Sequence, residues 1–165
     1  MARTLLIALL LPVCAAAQST ATTSLSVTVA TAATISIGTP TTTLTAATTW
    51  GDYTGTTTGT VRMRTSKTGG SGSVTVEITT AFASGGPSVS NLSYTCSVAE
   101  TSEATACSGS VSASASTGTS VLTMGTDGHT ANTGDTFSVD WSLDNLPAYT
   151  PGSYSATATF TVSAT

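Results

Sequence analysis

Charge is what this chain most conspicuously lacks. Asp, Glu, Lys and Arg make up 7% of its 165 residues, against roughly 25% in an ordinary soluble domain. Lys67 is the only lysine and His129 the only histidine, and aromatic residues account for 5%. Catalysis draws mainly on His, Lys, Cys and carboxylates, so this shortage argues against an enzyme. A net charge of −4 leaves no basic patch able to displace counterions from phosphates, which argues against a nucleic-acid partner. Proline is scarce, with five residues, and no segment carries a sustained helical stripe. In place of charge stand hydroxyls: 39 Thr and 24 Ser, or 63 of 165 residues.

The N-terminus has the layout of a secretory signal peptide. Arg3 supplies the positive start, residues 5–13 an apolar run, and Ala15, Ala16 and Ala17 the small residues before Gln18. The run is too short to span a bilayer, which takes about 20 residues, and no later stretch is apolar enough to do so. Cys14 raises the alternative of a lipid anchor. Val13 stands where a small residue is expected, however, so cleavage after Ala17 is the reading adopted. The expected organisation is therefore a cleaved signal peptide, 1–17, and one domain, 18–165, destined for the periplasm, cell surface or extracellular space. Cleavage leaves Arg62, Arg64 and Lys67 against eight carboxylates, and 3 − 8 = −5. It also leaves two cysteines, Cys96 and Cys107, which in an exported chain read as a structural disulfide. Neither a Cys-x-x-Cys spacing nor a nearby cation supports redox chemistry.

Apolar residues recur with a period of two almost everywhere. Leu25, Val27, Val29, Ala33, Ile35 and Ile37 share one parity, separated mostly by Ser, Thr and Ala, as expected of extended chain with one buried face. Thirteen residues would reach roughly 44 Å, longer than most strands. The run must therefore bend into two strands or project in part from the domain. Further strands are expected at 59–65, 74–78, 92–98, 108–114, 119–124, 137–143 and 154–164. Turn signals punctuate them: Gly69–Gly70, Gly85–Gly86–Pro87, Asp127–Gly128 and Pro151–Gly152. The expectation is an all-β, antiparallel sandwich of about seven to nine strands.

Chemical sites are sparse. Asp127, Asn132 and Asp135 surround His129 in a Gly-rich loop and could supply oxygen ligands to Ca²⁺. Their spacing is not that of an EF-hand, and a polar hairpin between strands ending at 124 and starting at 136 is the favoured reading. One loop histidine does not make a zinc site. Asp140 and Asp144 flank Trp141, but alternation puts Asp140 on the opposite face from the ring, so a glycosidase pair does not form. Glu100 and Glu103 read as solvated acids in the loop between the cysteines. Trp50, Asp52 and Tyr53 cluster in a Thr-rich loop that could bind glycan or, equally, form a lid on the core, and Trp50, Tyr53 and Trp141 are the candidate glycan contacts. No Gly-x-Ser-x-Gly elbow lies between a strand and a helix. No catalytic residue, cofactor or metal is expected.

The closing run Tyr149-Thr-Pro-Gly-Ser-Tyr-Ser-Ala-Thr-Ala-Thr-Phe-Thr-Val-Ser-Ala164 resembles the end of bacterial spore coat protein U-type domains and related pilin-like sandwiches. These finish with a Pro-Gly-x-Tyr turn and an alternating Thr-apolar strand. The opening, a signal peptide followed by residues 24–37, is similar as well. The resemblance implies an immunoglobulin-like β-sandwich, exported and serving as a subunit of surface fibres or coats. In chaperone–usher pilins an N-terminal extension supplies a missing strand to the neighbouring subunit, and the segment beginning at Leu25 would match that extension. Leu25, Val27 and Val29 are thus candidates for an assembly strand, within an N-terminal extension bounded at 18–37. The same run could instead pair within its own chain. A structural subunit with protein partners is the leading expectation, and a monomeric adhesin or glycan-binding module is the alternative.

Overall fold

The computed structural model describes residues 22–99 and 103–165. The segment 1–17 expected to be a signal peptide, Gln18 and Glu100 lie outside the described residues. Strands follow one another as β1 (Ala32–Ile37), β2 (Thr45–Ala46), β3 (Tyr53–Arg64), β4 (Gly72–Thr80), β5 (Leu92–Val98), β6 (Thr105–Ala106), β7 (Val111–Ser112), β8 (Thr119–Met124), β9 (Asp135–Leu143) and β10 (Thr157–Ala164). One 3-10 turn, Val89–Asn91, precedes β5 and is capped by the Ser88 side chain, which accepts from the Ser90 amide. All pairings are antiparallel. One sheet runs β1-β3-β9-β5-β7, with β2 also on β3, and the other runs β10-β4-β8-β6. The two pack face to face as a β-sandwich. Ten strands exceed the expected seven to nine because β2 and β6 are two-residue fragments with little sequence signal.

Alternation decides the packing. In β9, Asp135, Phe137, Val139, Trp141 and Leu143 are buried while the residues between them are exposed or half-buried. Val61 and Met63 of β3, Val74, Val76 and Ile78 of β4, Leu92 and Tyr94 of β5, and Val121, Leu122 and Met124 of β8 complete the core. Outward positions of β3 and β9 carry mainly Thr and Ser, whose hydroxyls reach solvent or one another, as in the bond that Thr56 Oγ1 donates to Asp140 Oδ1 at 2.6 Å. β-Branched Thr suits this pleated surface.

Of residues 25–37, 32–37 form a strand, so the run projects in part rather than bending into two strands. Three other strand expectations need correction. The strand expected at 59–65 runs over Tyr53–Arg64, which also takes Tyr53 out of the expected loop. The last strand begins at Thr157 rather than 154, with a shift in register just after its first residue, between Thr157 and Ala158. Residues 108–114 contribute only the short β7. The loop 125–134 is also not a hairpin: β8 and β9 belong to different sheets, so it crosses over one pole of the sandwich. It is held there by β3. Thr65 Oγ1 donates to the Gly125 carbonyl (2.7 Å) and accepts from the Gly128 amide (2.8 Å), while Thr130 Oγ1 accepts from the Met63 amide (3.0 Å). These bonds satisfy backbone groups that no ladder reaches.

The expected disulfide is present. Cys96 and Cys107 have Cα atoms 5.4 Å apart. Cys96 lies in β5 of one sheet, whereas Cys107 follows β6 of the other and donates its amide to the Val121 carbonyl at 2.9 Å. The bond therefore ties the two sheets together. Closing a loop of this size stabilises by about 3 kcal/mol in the chain-entropy account. Replacing both cysteines by serine is expected to lower the melting temperature by roughly 6–12 °C while leaving the β-sheet circular dichroism intact, as a thermal scan would record.

Tyr94 lies in the core with its hydroxyl 2.8 Å from Thr119 Oγ1 and donating to the Ser120 carbonyl at 2.9 Å. Burial pushes its phenol above the ordinary value of 10.0, and the Thr119 hydrogen bond acts the other way. Because the folded-state pKa is the higher one, the stability it represents is complete below about pH 10 and is lost as pH rises through the folded value. Urea midpoints measured across that window are expected to fall with pH in the native protein and to fall less steeply in Tyr94→Phe.

Candidate functional site

Two features stand apart from the closed core: an unpaired N-terminal arm and a groove between the sheets. β1 pairs with β3 from Ala32↔Arg64 to Ile37↔Gly59. Arg64 ends β3, and the next residue, Thr65, is committed to the crossover loop. Residues before Ala32 therefore have no partner strand to follow. Residues 22–31 carry no ladder among the described residues, and all are exposed. Leu25, Val27 and Val29 are 93%, 86% and 61% exposed. Single exposed apolar residues are commonplace, but three in alternation on extended chain form an apolar edge that water does not favour.

The groove opens at the other pole. It has a volume of about 1140 Å³ and is lined by residues of β1, β3, β4, β5, β9, β10 and the loops between them. Gly55 helps to shape it: a Cβ there would stand 2.7 Å from the Thr43 carbonyl and 2.9 Å from the Leu44 side chain, so only glycine lets residues 43–44 cross β3 this closely. Its rim is braced. Asn145 Nδ2 donates to the carbonyls of Thr49 (3.2 Å) and Gly51 (3.1 Å), and its amide donates to Asp52 Oδ1 (3.1 Å). Asn91 Nδ2 donates to Tyr149 Oη at 2.9 Å, and Tyr154 Oη donates to the Thr150 carbonyl at 2.7 Å. No Asp, Glu, Lys, Arg or His is among the lining residues. On the side nearest the groove, the inward residues of β1 (Ala33, Ile35, Ile37) and β10 (Ala158, Phe160, Val162) are only half-buried.

The three candidate glycan contacts separate. Trp50 is 78% exposed on its braced loop, and Tyr53 is half-buried beside it. Trp141 is 6% exposed and is a core residue. Its ring packs edge-on against Tyr94 at 5.2 Å between centroids, and its Nε1 donates to Thr57 Oγ1 at 2.9 Å. Trp141 is therefore corrected from a surface platform to part of the groove floor, because its position in the alternation of β9 turns it inward. Asp140 faces the opposite side, as alternation requires, beside a shallow hydroxyl-lined cleft of about 350 Å³ on the outer surface.

The Ca²⁺ candidates do not share an environment. Asp127 is exposed in a left-handed turn (φ 59°), and Asn132 is exposed. Asp135 turns into the domain, where Oδ1 accepts the Ala131 amide at 3.0 Å and Oδ2 is buried without a hydrogen-bond partner. Among the described residues, no three His, Cys, Asp or Glu side chains are grouped as a metal would require. His129 instead engages Glu103, whose Oε2 accepts its amide at 2.7 Å and lies 3.3 Å from Nδ1. No helix among the described residues is long and apolar enough to cross a membrane.

Sequence reasoning missed the groove. Leu44, Phe82, Leu146, Tyr149 and Tyr154 come from separate segments, and only the Pro-Gly turn near 151 hinted that one of those loops is structured. The Trp141–Thr57 bond closes the groove floor and is continued by a 2.7 Å hydrogen bond between Thr57 and Thr42. Thr57→Val keeps the side-chain volume but strands a buried indole N–H, so a loss of about 1–3 kcal/mol is expected, measured by urea denaturation followed through tryptophan fluorescence.

Comparison with family models, with curated proteins and with solved structures finds no match to this chain.

Proposed function

We propose that the chain is an exported structural subunit of a surface or extracellular assembly, joined to its neighbours by β-strand addition through residues 24–30. The observation that carries this reading is the arm itself: extended backbone with its amides and carbonyls outside any ladder, and Leu25, Val27 and Val29 exposed in alternation. An added strand gains affinity from main-chain hydrogen bonds, and alternate side chains entering pockets define its register. Burying each of those side chains is worth about 1.5–3 kcal/mol. The three-part N-terminus and the disulfide both suit an oxidising compartment outside the cytoplasm. The paucity of catalytic side chains suits a structural role.

Deleting residues 18–29 tests the proposal. The arm makes no ladder with the domain, so the truncated protein is expected to keep its circular dichroism and melting temperature and to sediment as a monomer at concentrations where the mature protein forms larger species. A truncated protein that unfolds would show that the segment belongs to its own core. A mature protein that stays monomeric throughout would remove the assembly reading.

A further inference from the structure

The groove gathers residue types that the rest of the chain hardly contains. Of the nine aromatic residues (two Trp, four Tyr and three Phe), seven line it, the exceptions being Tyr94 and Phe137 of the closed core. Pro40, Pro87, Pro147 and Pro151, which are all the prolines after residue 17, line it too. Outside the N-terminal arm, the exposed large apolar residues among those described are Trp50 and Leu146, and both stand on its rim. Independently of how subunits join, we infer that the groove is a binding site for a neutral, predominantly hydrocarbon small molecule. The ligand enters past Trp50 and Leu146 and lies against the floor at Trp141. The volume of about 1140 Å³ slightly exceeds the roughly 300–1,000 Å³ of most small-molecule sites, so a long-chain or multi-ring ligand fits.

Charge and hydrogen bonding decide the chemical class. No ionic side chain lines the groove, so a carboxylate, phosphate or amine taken inside would lose its water without gaining a counterion. A sugar stacks on rings, but its hydroxyls also need polar partners once water is removed. Here the polar groups among the rings are already engaged by the protein itself. Trp141 Nε1 donates to Thr57 Oγ1, which lies 2.7 Å from Thr42 Oγ1. Tyr154 Oη donates to the Thr150 carbonyl, Tyr149 Oη accepts from Asn91, and Asn145 Nδ2 is divided between two carbonyls. Thr41, Thr43 and Thr49 are exposed, so their hydroxyls stay in water. The surface left without a partner is hydrocarbon: Ile37, Leu44, Phe82, Ala158 and Phe160 are half-buried against the core. A ligand that covers them removes apolar area from water and strands no hydrogen bond.

The walls are built in advance of binding. Each proline fixes one backbone dihedral, and Asn145 ties down the loop that carries Trp50. Gly86 lies so close to the Tyr154 ring that a Cβ would overlap it, which packs that wall without a gap. Rigid walls lower the ordering cost of taking up a ligand.

Tryptophan fluorescence reads the site directly, because the chain's two tryptophans, Trp50 and Trp141, both line the groove. The mature protein is titrated with N-phenyl-1-naphthylamine, a neutral apolar probe that accepts excitation energy from tryptophan. Saturable binding of about one probe per chain is expected, with displacement by hexadecan-1-ol and no response to cellobiose. Quenching is expected to persist in Trp50→Phe, where Trp141 alone reports. Ala158→Phe, which fills the groove with its own ring, is expected to weaken probe binding by about tenfold or more. If that variant loses its native circular dichroism, Leu146→Arg at the 40% exposed rim replaces it, with the same expectation. Replacing Leu25, Val27 and Val29 together by serine is expected to leave binding unchanged. Absence of saturable binding overturns the site, and so does undiminished binding to a folded groove variant. Loss of binding in the serine variant would put the probe on the arm and overturn it as well. A response to cellobiose but not to the probe would make the groove a glycan site. Co-sedimentation with phosphatidylcholine vesicles that is lost in Trp50→Ser would make the rim a membrane contact. Either result overturns the assignment, and all of them leave strand addition to its own test.

Discussion

The nine-rung ladder between β3 and β9, from Tyr53↔Leu143 to Val61↔Asp135, is the constraint on which the rest of the molecule depends. It joins the two longest strands of the first sheet and decides which side chains become core. A slip of one residue would turn Val61, Phe137, Val139 and Trp141 outward and bring Thr and Ser inward. The register is held by shape as well as by pattern. Gly59 lies opposite Phe137, and a Cβ on it would stand 2.5 Å from the ring and 3.0 Å from the Ser36 carbonyl. The ring thus occupies the space that glycine leaves, and no neighbouring register offers that space.

A core of mostly Val, Leu and Met with few rings buries little apolar area per residue, so other devices carry proportionately more of the stability. The disulfide joins the sheets on the side away from β1 and β10. Hydroxyls make up for the missing charge at the joints between backbone segments: Thr65 and Thr130 at the crossover pole, Thr57 beneath Trp141 and Thr119 against Tyr94. Each is a short β-branched side chain that satisfies one buried donor or acceptor without the desolvation cost of an ion. A chain with so little charge can still bury polar groups safely because Thr is both a good strand residue and a hydrogen-bonding one.

The two halves of the sandwich differ in completeness. On the β5–β8 side, Leu92, Tyr94, Val121, Leu122 and Met124 are buried and the two sheets are covalently cross-linked. On the β1–β10 side the inward residues are half-buried, the strand edges are free, and the apolar alternation of β1 continues past its last partner into the arm.

Alternation alone was enough to read the all-β sandwich, the inward faces of β4, β5 and β9, and the separation of Asp140 from Trp141, because side-chain direction in a strand depends only on parity. Cysteine count with the N-terminal layout was enough to pair Cys96 with Cys107. Parity could not show how long a strand remains paired, since that depends on where its partner ends. Residues 25–31 have the same pattern as 32–37, and only the termination of β3 at Arg64 separates arm from strand. Nor could local sequence distinguish a hairpin from a crossover at 125–134, which rests on the sheet each flanking strand joins, or a surface tryptophan from a groove floor at Trp141. The groove was invisible for the same reason: its walls come from segments far apart in the chain, and only the packing of two sheets with one uncovered side brings them together.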